Sequence, residues 1–173
     1  MSRLLAIAAY LAGIVAANWL TVRYGFVPVG FGLMATAGTY AAGVAFVARD
    51  AVQDTAGRLA VVGCIVAGAA LSLWLSTPAL ALASGAAFLI SEAADMAIYT
   101  PLRRRGYVRA AVASNLVGSA IDTVVFLWLA GFGPTWLTFG GQMVGKTWVT
   151  IAVVAGVVMI REVLRHRVRP QSA

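Results

Sequence analysis

Charge is scarce in this 173-residue chain: 11% of residues are Asp, Glu, Lys or Arg and 61% are hydrophobic, too little polar surface to cover a soluble globule. The chain therefore reads as an integral membrane protein. Cysteine is nearly absent, Cys64 standing alone inside an apolar run, which excludes an intrachain disulfide, a CxxC pair and a cysteine metal cluster. Histidine is equally rare. His166 lies in a basic tail, so a zinc-dependent or histidine-based intramembrane hydrolase lacks its parts. No glycine-rich phosphate loop of the P-loop type occurs, so the chain does not itself hydrolyse ATP. No enzyme activity, cofactor or metal is expected. No polar or proline-rich linker divides the chain, and residues 1–173 read as one domain.

What is present is a series of apolar runs long enough for a hydrocarbon core of about 30 Å: Leu4 to Leu20, Val29 to Ala48, Leu59 to Leu75, Ala83 to Tyr99, Ala110 to Ala130 and Phe139 to Ile160. An all-α polytopic protein with six transmembrane helices is the expected fold. The fourth run carries Glu92 and Asp95 and is closed by Pro101, so a broken or re-entrant segment is an alternative there. The first run follows Arg3 and ends in small residues near Ala16 and Ala17, but is read as a span rather than a cleaved signal.

The excess of basic residues sets orientation. Arg3, Arg49, Arg58, the Arg103 to Arg105 run, Arg109, Arg161, Arg165, Arg167 and Arg169 fall on one side of a six-span arrangement, and Arg23 alone on the other. Both termini are then cytoplasmic in a multi-pass membrane protein. The arginines are dispersed between apolar runs rather than gathered on one soluble face, which argues against a nucleic-acid partner. At the end of the second run, Asp54 and Arg58 are spaced to pair at i, i+4, while Arg49 and Asp50 are expected as a cytoplasmic anchor or gating pair.

Lys146, the single lysine, lies inside the last apolar run, where an ammonium costs about 2.5–3.5 kcal/mol on insertion scales. Counter-charges lie at similar depth in other runs. Measured from the end opposite the arginine clusters, Gln142 and Asn18 come out about 5 Å deep, Lys146 about 10 Å, Asp122 about 12 Å, Glu92 about 13 Å, Asp95 about 18 Å and Asn115 about 22 Å. Helical spacing groups Glu92 with Asp95, Asn115 with Ser119 and Asp122, and Gln142 with Lys146 and Thr150. Three polar stripes facing lipid would be unfavourable, so they are expected to converge on one cavity between helices four, five and six. Carboxylates there suit a ligand with adjacent N–H donors, amides and the ammonium suit its acceptors, and Trp19, Tyr40, Tyr99, Phe126 and Trp148 offer flat walls. The Gly141 and Gly145 spacing and the Ala8, Ala12, Ala16 stripe allow close helix approach, the stripe to a helix of this chain or another, which leaves a homodimer open.

The strings AGTYAAGVAFVARDAVQD, SEAADMAIYTPLRRRG, SNLVGSAIDTVVFLWLAG and GQMVGKTWVT resemble the bacterial queuosine-precursor transporter family, also called the vitamin uptake transporter group. The resemblance implies a six-span inner-membrane importer of 7-deazaguanines, chiefly 7-cyano-7-deazaguanine and its aminomethyl relative. It also implies functional positions at Arg49 and Asp50, Glu92 and Asp95, Asn115 and Asp122, and Gln142 and Lys146. At the level of span number and size, such proteins resemble the substrate-binding subunits of energy-coupling-factor transporters.

Overall fold

The computed structural model describes residues 2–168. The elements are α1 (Arg3–Tyr24), β1 (Phe26–Gly30), β2 (Leu33–Thr36), α2 (Thr39–Ala56), α3 (Arg58–Leu75), α4 (Pro78–Leu102), a 3₁₀ turn (Arg103–Arg105), α5 (Tyr107–Leu129) and α6 (Trp136–Val168). Four of these helices, α1, α3, α4 and α5, are long and apolar enough to cross a membrane among the described residues. Arg49, Asp50 and Asp54 interrupt the apolar character of α2.

Local chemistry explains the boundaries. Ser2 Oγ accepts from Leu5 N at 3.3 Å to start α1, and Thr77 Oγ1 accepts from Leu80 N at 3.3 Å to start α4, where Pro78 occupies a first-turn position that needs no N–H donor. α4 then runs unbroken to Leu102, so the alternative of a broken fourth segment is set aside. Pro101 falls in its last turn, where little helix remains to be disrupted. Gly57 adopts φ +83° between α2 and α3, a conformation that residues with a Cβ rarely take. This turn separates Asp54 from Arg58, which was expected to pair with it along one helix. Arg58 instead donates to Thr100 Oγ1 on α4.

The largest departure from the sequence reading is at the second apolar run. Residues 26–36 form an antiparallel hairpin, with Phe26 opposite Thr36, Val27 opposite Ala35 and Pro28 opposite Met34, and α2 begins only at Thr39. Pro28 lacks a donor and Gly30 and Gly32 have positive φ, so the stretch cannot continue as helix. α6 packs against one side of the hairpin, where Val29, Ala35 and Thr36 are buried. Gly141 lies directly against the backbone of Met34, and a Cβ there would run into the Met34 carbonyl, while one at Gly145 would meet Thr39 Cγ2 at 3.0 Å. The glycine pair therefore serves the interior of this chain. Gly141→Ala is expected to cost about 1–3 kcal/mol through overpacking and to lower the thermal midpoint of the purified chain in detergent, measured by fluorescence-detected size exclusion.

α4 and α5 pack along one another, as do α1 and α2, while α6 packs on α2 and the hairpin. α3 packs on both α1 and α4, but elsewhere contact between the groups is thinner: α5 meets α6 sparsely across a groove of about 240 Å³, and α1 barely reaches α4. The apolar core is built by Tyr10, Ile14, Phe46, Val61, Ile65 and Phe88 from the first four helices. On the outside of α1, Ala8 and Ala12 are exposed and Ala16 is half-buried.

Candidate functional site

Two buried polar clusters lie along the boundary between the α4–α5 pair and the other helices. The first is centred on Arg49, 1% exposed, in the second half of α2. Its Nε lies 2.8 Å from Glu92 Oε2, its Nη2 pairs with Asp95 Oδ2, and its Nη1 donates to Asp50 Oδ1 at 2.8 Å and to Gln53 Oε1 at 3.4 Å. Glu92 and Asp95 reach the same guanidinium because they stand one helical turn apart on α4. Asn115 Nδ2 on α5 donates to Asp50 Oδ2 at 3.4 Å and closes the cluster. The planar fork of arginine, with its five N–H donors, is what allows one cation to serve three carboxylates.

The second cluster is centred on Lys146 of α6, 2% exposed. Its ammonium donates to Asp122 Oδ2 at 2.5 Å, Thr123 Oγ1 at 2.8 Å and the Ser119 carbonyl at 3.4 Å, all on α5, which uses its three hydrogens. Beside it lies a cavity lined by Asn18 and Thr21 of α1, Thr36 of β2, Thr39 of α2, Ser84 and Phe88 of α4, Asp122 and Phe126 of α5, and Gln142 and Lys146 of α6. Asn18 Nδ2 donates to Ser72 Oγ at 3.1 Å and Ser84 Oγ at 3.2 Å, tying α1 to α3 and α4. Gln142 Nε2 donates to Thr36 Oγ1 at 3.5 Å, which lies 3.1 Å from Thr39 Oγ1. The cavity volume is about 20 Å³, room for about one water molecule, so a bicyclic ligand enters only when helices part.

Two aromatic rings separate the clusters. Phe46 of α2 and Phe88 of α4 meet with centroids 6.0 Å apart at 60°, the Lys146 ammonium lies 5.5 Å from the Phe46 ring centre, and both rings also border Arg49 and Glu92.

The expected single convergence of polar stripes is thus corrected to two sites. Asn18, Asp122, Gln142 and Lys146 share the cavity, whereas Glu92, Asp95 and Asn115 join Arg49 and Asp50 on the far side of the phenylalanines. Nor is the cavity confined to helices four, five and six, since α1, α2 and the hairpin contribute walls. The expected aromatic walls reduce to Phe126: Trp19, Tyr40 and Trp148 are 43%, 38% and 51% exposed, and Tyr99 is buried outside the cavity. Sequence reasoning missed Phe46, Phe88, Thr36, Thr39 and Ser84. Thr39 and Phe46, two turns apart on one face of α2, and Ser84 and Phe88, one turn apart on α4 in phase with Glu92 and Asp95, left a periodic signal.

Residues 72–160, just over half of the chain, match the family model of the vitamin uptake transporters. The chain belongs to that family. The matched segment runs from the end of α3 through α4 and α5 to Ile160 in α6. It carries every acidic and amide position named above except Asn18, Asp50, Gln53 and Asp54, and it leaves Arg49 outside. No curated protein and no solved structure matches this vitamin uptake transporter. It is a membrane transporter, not an enzyme.

Proposed function

We propose that this vitamin uptake transporter imports 7-deazaguanine precursors of queuosine, 7-cyano-7-deazaguanine and its aminomethyl relative, across the bacterial inner membrane. The observation that carries the reading is the cavity, where one carboxylate, two amides and several hydroxyls stand among apolar helices. Asp122 takes the guanine-like edge, whose adjacent N–H groups match the two acceptor directions of a carboxylate. Lys146 holds that carboxylate in place, Gln142 and Asn18 serve the ring carbonyl and ring nitrogens, and Phe88 and Phe126 cover the faces. Glu92, Asp95 and Asn115, with Arg49 and Asp50, hold the α4–α5 pair closed beneath the cavity.

In this reading all six helices span the membrane, with the hairpin on the periplasmic side and both termini in the cytoplasm. The arginine distribution supports that orientation. Ligand arrives from the hairpin side, the α4–α5 pair closes over it, and separation at the Arg49 cluster releases it inward. Labelled 7-cyano-7-deazaguanine supplied to cells unable to make it tests the assignment: cells carrying the chain accumulate label, and uptake equal to that of empty cells removes the substrate.

A second reading is a substrate-binding subunit of an ATP-driven vitamin or nucleobase importer. The exposure of Ala8 and Ala12, a small-residue face left uncovered among the described residues, favours it, as that face suits a partner helix or a second copy. Transport by the purified chain in liposomes without any ATPase would rule out the need for such a partner.

A further inference from the structure

We infer that the Arg49 cluster is a proton site, occupied when the α4–α5 pair moves away from Arg49, and that its proton accompanies the ligand of the cavity. The inference rests on the transport reading above but concerns a different place in the fold. Arg49 is the only cation within reach of Asp50, Glu92 and Asp95 among the described residues, and the other buried cation has its hydrogens committed to α5. One guanidinium thus faces three carboxyl groups of which the most exposed is 5% accessible.

Among the described residues no second cation forms an ion pair with these carboxyl groups, and Arg58 acts on Glu92 only from a longer range. Tyr10 faces the cluster from α1, Cys64 lies beyond it on α3, Tyr99 stands two turns from Glu92 on α4, and Asn115 approaches from α5. Arg58, at the start of α3, donates to Thr100, and Asp54 adds only further negative charge near the end of α2.

A second observation points to a missing hydrogen. Glu92 Oε1, Asp95 Oδ1 and Asn115 Oδ1 are buried acceptor atoms that receive no hydrogen bond. The Asn115 amide nitrogen is turned to Asp50 and Arg49 is shared among three carboxyl groups, so Glu92 and Asp95 each keep an open acceptor oxygen even with Arg49 in place, and a proton is what one of them takes up when Arg49 withdraws. A metal ion is a poor candidate. The guanidinium occupies the centre of the acidic groups, and no set of three His, Cys, Asp or Glu with metal-ligand spacing exists among the described residues.

Placement makes the proton a coupled ligand rather than a static one. Arg49 belongs to α2, whereas Glu92 and Asp95 belong to α4, so the ion pairs span the boundary that must open for a ring to enter or leave. When Arg49 withdraws, a proton from the adjoining solution replaces it on Glu92 or Asp95; when Arg49 returns, that proton leaves to the opposite side. The carboxyl O–H bond formed in one step is broken in the other. No electrons move and no further reactant is required.

The test uses the full chain in liposomes containing a pH-sensitive dye, with labelled 7-cyano-7-deazaguanine outside. An inward acid gradient should drive accumulation about tenfold per pH unit for one proton per ligand. Without a gradient, added ligand should acidify the lumen. In a Glu92→Gln, Asp95→Asn variant that still elutes as a folded, monodisperse chain, label should no longer accumulate along the pH gradient and added ligand should no longer acidify the lumen.

Native chain that equilibrates label without acidifying the lumen overturns the proton site and leaves the substrate intact. Label that never enters overturns the substrate instead. The proton site is then judged without ligand, by the infrared carbonyl band of a neutral carboxyl group on titrating the purified chain. The remaining Asp and Glu contribute equally to both proteins, so the native-minus-variant difference spectrum should hold a neutral-carboxyl band, and a difference spectrum without one refutes the inference.

Discussion

Asp122→Asn is expected to lower uptake of labelled 7-cyano-7-deazaguanine about 100-fold, because two charge-assisted hydrogen bonds at about 1.5 kcal/mol each are exchanged for one acceptor and one repelling donor. The substitution also strips Lys146 of its carboxylate, 2.5 Å away, so the loss alone does not prove ligand contact. Lys146→Met supplies the control. If Asp122 serves only the ammonium, removing both partners of the buried pair leaves nothing uncompensated, and the Asp122→Asn, Lys146→Met chain should transport nearly as well as the native one. If Asp122 receives the ligand, that chain stays as impaired as Asp122→Asn. Recovery in the double variant would remove Asp122 from the binding site.

Arg49→Met should be the most destabilising single change in the protein, by about 3–5 kcal/mol, since three buried carboxylates lose the cation they share. That is a large part of the roughly 5–15 kcal/mol by which native proteins exceed their unfolded states. Arg49→Lys should recover little, because a single ammonium cannot reach Asp50, Glu92 and Asp95 in the divergent directions that Nη1, Nε and Nη2 do. Adding Glu92→Gln and Asp95→Asn to Arg49→Met should restore much of the loss by removing the stranded charge. Thermal midpoints of the purified variants decide the matter. A single variant as stable as the native chain, or a triple variant no better than the single, would contradict this account.

The depth and spacing of polar residues carried much of the site. The four residues estimated as shallowest, Asn18, Gln142, Lys146 and Asp122, do share a cavity, and Glu92, Asp95 and Asn115, estimated as deeper, do share a cluster. What stayed hidden was the cation of the deeper level. An arginine near the end of an apolar run reads as an interfacial anchor, and nothing local distinguishes Arg49 from Arg58, although one is buried on α4 carboxylates and the other reaches the Thr100 hydroxyl.

The hairpin was hidden for a different reason. Residues 29–48 form one apolar stretch, and hydropathy alone does not separate a short apolar strand from the start of a helix. Pro28, Gly30, Gly32 and Gly38 were the available punctuation, and their density was the signal that the helix starts later. Helix ends elsewhere followed from Thr77 with Pro78 and from Gly57, whose chemistry is local and therefore readable.

Apart from the packing of α3 on α4, the joint between the α4–α5 pair and the other helices is fastened by opposite charges and two rings. Attraction of that kind has little compliance: it is strong at contact, weakens once water enters, and offers no favourable half-open geometry in which a charge is neither paired nor hydrated. A membrane protein hinged this way snaps between two arrangements, and a cargo molecule would be carried by a toggle rather than through a pore that widens by degrees.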